Sequence, residues 1–205
     1  MGDPVSSTDG RRARRERGRL AVIDAMFELL QEGKVPPGTD AIAERAGVSV
    51  ASIFRYFEGI EDLQLQTLER FRERFGPLIS APIEGELPDR ITGFVDARLD
   101  LYEQAGAIMA VGRLRALEHP PLVEAAARTR GSLADQVRAT FVVETAGHAP
   151  ARVADLVAVV DALTSLESWD VMRKTHARSR AQIARAWCRG IAALVDNWEH
   201  EEKTP

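Results

Sequence analysis

Apolar residues recur along this chain at spacings of three and four for almost its whole length, and glycine and proline interrupt them. Leu20, Ile23, Phe27 and Leu30, with Met26 beside them, make the first such face, which predicts an amphipathic helix running from the arginine-rich segment before it to Glu32. The pattern stops at "EGKVPPG", where Gly33, Pro36, Pro37 and Gly38 exclude further helix. Thr39 stands before "DAIAERAG" and reads as the N-cap of a short second helix carrying Ile42, Ala43 and Ala46, closed by Gly47. Ser49 is the next N-cap, and "VASIFRYF" follows as a third helix of about two turns. After "EGIED" a fourth helix carries Leu65, Leu68, Phe71 and Phe75 toward "GPLISAPIEGELP", which reads as the domain boundary.

From Asp89 the patterns lengthen and become rich in alanine. Ile91, Phe94, Val95 and Leu99 form one stripe, and Ile108, Val111, Leu114 and Leu117 another. Leu122, Ala126, Leu133, Val137 and Phe141 follow Pro120 and Pro121; Val153, Leu156, Val160, Leu163 and Leu166 lead to Trp169. Ile183, Trp187, Ile191, Leu194 and Trp198 mark the last helix. No period-two alternation interrupts the series, so the expected fold class is all-α.

The second and third helices are too short to stand alone, since isolated helices under about 12 residues are marginal in water. Two short helices joined by a tight glycine turn form the helix-turn-helix arrangement, whose second helix enters the DNA major groove. On a helical wheel Val50, Ile53 and Phe57 share one face, with Val48 packing just before it. The outward side shows Ala51, Ser52, Arg55 and Tyr56, flanked by Phe54. Small residues let the backbone approach base edges, Arg55 can bond guanine or a phosphate, Tyr56 can reach a phosphate, and Phe54 offers apolar contact to a thymine methyl. Taken alone, this segment is equally a packed helix with a surface arginine. The run "RRARRERGR", with Arg11, Arg12, Arg14 and Arg15 at its start, tips the balance. It feeds directly into the first helix, and arginine is electrostatically favoured in a minor groove.

A net charge of -4 excludes a protein that coats nucleic acid with its whole surface, but leaves room for such a local basic patch. The single cysteine, Cys188, excludes an intramolecular disulfide or a cysteine metal cluster, and fits a cytoplasmic location. No apolar run approaches the roughly 18 residues of a membrane span, and "MGDPVSSTDG" lacks the hydrophobic stretch of a secretory signal. Cys188 has no histidine near it in sequence, and His119, His148, His176 and His200 are scattered without ligand spacing. No phosphate loop or nucleophile elbow is present. An enzyme, a metal site and a cofactor are therefore not expected.

The stretch "TDAIAERAGVSVASIFRYFEGIEDL" resembles the signature of the tetracycline-repressor (TetR) family of bacterial regulators over roughly Gly18 to Arg74. A weaker similarity lies in "SWDVMRKTHARSRAQIARAWCRGIAALV", near the end. The resemblance implies a flexible basic arm over 1–17, a helix-turn-helix DNA-binding domain over 18–76, and a helical effector-binding and dimerisation domain over 77–205. It implies DNA-facing roles for Thr39, Ser49, Ala51, Ser52, Phe54, Arg55 and Tyr56. Two positions depart from the family pattern: tyrosine is common where Phe54 stands, and a phosphate-binding lysine where Ile60 stands. The implied partners are a double-stranded, palindromic operator, a second copy of the chain, and a small-molecule effector of unknown identity, with no membrane. A single helix-turn-helix contacts few bases, so a twofold dimer reading two half-sites is expected.

The resemblance puts the dimer interface on the last two long helices, where Leu156, Leu163, Trp187, Ile191, Leu194 and Trp198 are the candidates. For the effector pocket the candidates are Phe94, Tyr102, Met109, Val111, Leu117, Phe141 and Trp169, with Arg98, Arg113, Arg115 and Arg130 for an anionic ligand. Ordinary core is the competing account of every apolar residue in both sets. The function implied is a homodimeric, ligand-released repressor. The alternatives are an architectural or activating DNA-binding protein without effector, and a helical enzyme.

Overall fold

Helix accounts for nearly all regular structure in this protein. The computed structural model describes residues 5–34, 36–116 and 120–200, with side chains over 10–34, 36–114 and 122–198. Among the described residues there is no strand, and the elements are α1 (Val5–Gln31), α2 (Thr39–Ala46), α3 (Val50–Tyr56), α4 (Ile60–Ser80), α5 (Leu87–Ala116), α6 (Pro120–Thr140), α7 (Pro150–Leu163), α8 (Leu166–Asp170), a π turn (Val171–Thr175) and α9 (Arg180–His200). No helix among the described residues is long and apolar enough to cross a membrane.

Two compact units emerge, one of Met1–Arg74 with Ala107–Ala125, the other of Phe75–Gly106 with Ala126–Pro205. One division between them, at Arg74/Phe75, lies inside α4. That helix runs through Gly76 and Pro77 to Ser80, where the sequence pattern predicted a break. Its last turn is held from outside: Gln136 Nε2 donates to the Leu78 carbonyl at 2.9 Å, and Ser80 Oγ donates to the Gly76 carbonyl. The two stripes beyond Asp89, as far as Leu114, both belong to α5, a single helix of 30 residues.

In the first unit α1 packs on α2 and α3, and α2 on α3. Val22, Ile23, Met26, Phe27, Leu29 and Leu30 of α1 are buried, as are Ile42, Ile53, Phe57, Leu63 and Phe71. Polar side chains latch the rim. Arg45 of α2 donates to Glu28 of α1 and to Glu32 just after it, and this hydrogen bonding holds the Glu32 carboxyl below its ordinary value. Arg70 of α4 reaches Asp24 of α1 at 3.5 Å.

The second unit is built around two buried arginines. Arg90 donates to the Gly85, Thr140 and Glu144 oxygens, and both members of the Arg90–Glu144 pair are nearly sealed from water. Arg98, only 1% exposed, donates to the Leu133 carbonyl at 2.6 Å and to Asp161. Its guanidinium lies 5.0 Å from the Phe94 ring centroid. Paired in this way, a buried cation fixes which segments meet, because breaking one such pair leaves a stranded charge costing about 3–5 kcal/mol.

Candidate nucleic-acid interface

Three residues set the start of α3. Gly47 ends α2 in the left-handed region at φ 65, which glycine adopts without steric cost, and the chain turns within two residues. Ser49 then caps α3, its Oγ accepting from the Ser52 amide at 3.2 Å. The N-cap of α2 is Gly38, not Thr39; Thr39 is the first helical residue and makes no capping bond, because the extended backbone precedes it by one position.

Within α3 the faces separate. Ile53 and the following Phe57 are buried, Val50 is half-buried, and Ala51, Phe54 and Arg55 are exposed. Phe54, 57% exposed, is the most open aromatic side chain of the unit, and Ile60 at the start of α4 is exposed as well. A chain of polar contacts runs along the outer face: Ser49 Oγ lies 2.9 Å from Ser52 Oγ, which accepts from Arg55 Nη2 at 3.1 Å. Arg55 also sits 5.6 Å from the Tyr56 ring centroid.

Tyr56 is not wholly outward, as the wheel predicted, but half-buried. A Cβ placed on Gly18 would lie 2.6 Å from Tyr56 Oη, so the tyrosine seats against the bare backbone of α1. The arginine run is itself helical, being part of α1. Arg15 Nη2 donates to the Arg55 carbonyl at 3.1 Å, satisfying an orphan acceptor at the C-terminal end of α3. Arg12, Arg14 and Arg17 are exposed. Arg19 pairs with Glu16, whose carboxyl this bond pulls below its ordinary value, and also donates to Gln66. Gln66 donates to Asp62, which accepts from the Glu58 amide at 3.0 Å, so α1 is tied to the start of α4. These contacts escape pattern reading, although an unexplained glycine inside a helix was one available signal for the Tyr56 seat.

Residues 23–67, which contain all of α2 and α3, match the sequence profile of the bacterial regulatory proteins of the tetR family. The chain carries a tetR-family regulatory domain. No curated protein matches by sequence. By structure, the chain is similar to a transcriptional regulator from Rhodococcus sp. Rha1 at 21% identity and TM-score 0.66, covering 89% of this chain and 96% of that one. It is also similar to a tetR-family transcriptional regulator from Streptomyces coelicolor at 19% identity and TM-score 0.75, covering 91% and 83%. A third is the multidrug binding protein EbrR complexed with imidazole, at 17% identity and TM-score 0.58, covering 86% and 93%. At these identities the likeness establishes the fold.

Outside the tetR-family domain the candidate residues separate. Phe94, Tyr102 and Phe141 are buried in packed clusters: Phe94 meets Phe141 edge-on at 6.0 Å, and Tyr102 meets Trp187 edge-on at 6.5 Å. Tyr102 Oη donates to the Thr164 carbonyl at 2.8 Å. Met109 and Val111, half-buried, lie on the part of α5 that belongs to the first unit, while Trp169 lies in the second, its ring 6.2 Å from that of Tyr102. Leu117 and His119 lie outside the described residues, as do the Arg115 and His200 side chains. Arg98 Nη2 is engaged by the Leu133 carbonyl and Asp161, while its Nε, also buried, meets no acceptor.

The dimer candidates divide by burial within the chain. Leu156, Trp187 and Ile191 are buried, because Ile183, Trp187, Ile191 and Val195 share one face of α9 and all point into the core. Leu163, Leu194 and Trp198 are half-buried. Leu163 lies where a Cβ on Gly190 would come within 3.0 Å, and Trp198 lies under the Arg152 guanidinium at 4.6 Å. The thiol of Cys188 is half-buried, and burial pushes its pKa up, the opposite of what a nucleophile needs.

Proposed function

We propose that this protein is a homodimeric, ligand-responsive repressor that reads a palindromic operator through α3 in the major groove. One observation supports this most: the profile-matched segment builds a capped helix with Ile53 and Phe57 buried beneath it and Ala51, Phe54 and Arg55 exposed above. Arg12, Arg14 and Arg17 supply phosphate contacts along the exposed side of α1. The second unit is the effector-binding and dimerising part; that EbrR is described as a multidrug binding protein complexed with imidazole supports a ligand role for such a fold. The dimer surface is the outward side of α7, where Ala154, Ala158, Val159 and Ala162 are exposed. A regulator that binds an operator works where the DNA is, in the cytoplasm, and no catalytic role is assigned to it. An effector that favours a dimer with misplaced α3 helices lowers operator affinity by its differential affinity for the two states.

Selection of bound sequences from random DNA with the purified protein tests the reading. A twofold-symmetric motif is expected, and an absence of enrichment at low salt overturns it. Arg55→Ala is expected to relax preference at one base pair per half-site, at a cost of about 1–3 kcal/mol. A uniform drop in affinity across sequences instead marks Arg55 as a phosphate contact.

A further inference from the structure

Between α8 and α9 the backbone is irregular in a way the core does not require. Val171–Thr175 forms a π turn, a rare form that is frequent at functional sites. Ala177, at φ 49, is a non-glycine residue in the left-handed region, a conformation costing about 1–2 kcal/mol. Around this segment lies an open groove of about 440 Å³ lined by Trp169, Arg173, Lys174, Arg178, Ser179 and Gln182.

The groove is rich in donors and poor in acceptors, since three cations line it and no carboxylate does. Lys174 is compensated by Asp170 at 2.8 Å. Arg180, which does not line the groove, draws Asp96, Asp100 and Glu103 of α5 to itself. Arg173 lies 5.9 Å from the Trp169 ring centroid, and neither it nor Arg178 has an acidic partner among the described residues. The Trp169 indole Nε1–H, buried, finds no acceptor in the protein. Ser179 and Gln182 cap α9 reciprocally, the Ser179 amide donating to Gln182 Oε1 at 2.9 Å and the Gln182 amide to Ser179 Oγ. The helix begun there directs its positive end toward the same segment.

We propose that this groove binds a small aromatic monocarboxylate, its ring against Trp169 and its carboxylate between the Arg173 and Arg178 guanidiniums. Arginine matches a carboxylate through paired, charge-assisted hydrogen bonds, and an aromatic face adds stacking. A monoanion fits better than a polyphosphate. With Lys174 and Arg180 already engaged, two uncompensated guanidiniums remain. The site gives the effector-binding reading of the second unit a ligand class, and rests on that reading only for what binding does to DNA.

Calorimetry on the full-length protein without DNA tests it with 1-naphthoate, neutral 1-naphthamide and inorganic phosphate. Saturable binding of 1-naphthoate at one site per chain is expected, with 1-naphthamide and phosphate each at least tenfold weaker. Arg173→Ala, Arg178→Ala and Trp169→Leu should each weaken 1-naphthoate at least tenfold, while Arg138→Ala, away from the groove, leaves it unchanged. Melting curves of the variants confirm that each is folded. No saturable heat, equal binding of the amide, tighter binding of phosphate, or indifference to Arg178→Ala overturns the proposal. Operator affinity measured with and without 1-naphthoate is a separate readout: binding without release keeps the site and removes only its regulatory role.

Discussion

Gly18 and Tyr56 are 38 positions apart, yet each explains the other. A glycine inside a helix costs about 1 kcal/mol against alanine, and α1 tolerates it because the Tyr56 ring needs the space. Gly18→Ala gains about that propensity while pushing the Tyr56 ring from its seat. The expected outcome is a melting temperature within a few degrees of the parent and an operator affinity lowered several-fold, read by a DNA titration. In a Tyr56→Ala background the same substitution should have no further effect on affinity, since coupled pairs are non-additive only while both partners are present. An affinity drop of equal size in both backgrounds counts against the contact. Phe54 is the other position of interest: it is largely exposed beside Arg55, and in the proposed reading it would offer a base an apolar contact.

At the scale of elements, α1 is both a core helix and an arginine-bearing lever. Arg15 is committed to the Arg55 carbonyl and Arg19 to Glu16 and Gln66. Arg12, Arg14 and Arg17 remain exposed, and are the ones proposed to meet phosphates. Replacing these three by alanine is expected to lower the slope of log affinity against log salt by about 0.9 for each phosphate no longer neutralised, without changing the selected motif. Arg15→Ala should act differently, leaving the slope nearly unchanged while reducing discrimination between operator and random DNA, because it removes a cap on α3. Filter binding across a salt series separates the two; identical behaviour of both variants contradicts the division of labour. The short α2 and α3 depend on this arrangement, since neither has the length to form alone.

At the scale of the molecule the question is association. A symmetric interface meets itself, so one substitution places two charges in the same contact. Val159 is 47% exposed on α7 among Ala154, Ala158 and Ala162, so Val159→Asp should leave the folded chain intact while weakening the dimer at least tenfold, by about 1.4 kcal/mol or more. Sedimentation at micromolar concentration is expected to show monomer, and operator binding should fall with it. A variant that remains dimeric moves the interface elsewhere. The buried Arg90–Glu144 pair and Arg98 act at the same scale, fixing how α5 meets the turn after α6 and the carbonyls of α6.

Local chemistry was legible in the sequence. Apolar spacing, Gly47 and Ser49 located α2, the turn and α3, and the burial of Ile53 and Phe57 against the exposure of Arg55 followed from the wheel, because helix geometry is periodic. What required tertiary structure was the choice among equally apolar positions. Leu156, Trp187 and Ile191 read as an interface but belong to the core, since periodicity identifies a buried stripe without saying what buries it. The same limit hid Tyr56 against Gly18, and the bonds of Arg98 to Leu133 and Asp161, since these contacts join positions that no local pattern relates. The sequence alone determined the helices and the reading helix among them; only the tertiary structure decided which arginines and aromatics are left for a partner, because an ion pair or a packed ring is a property of two segments at once.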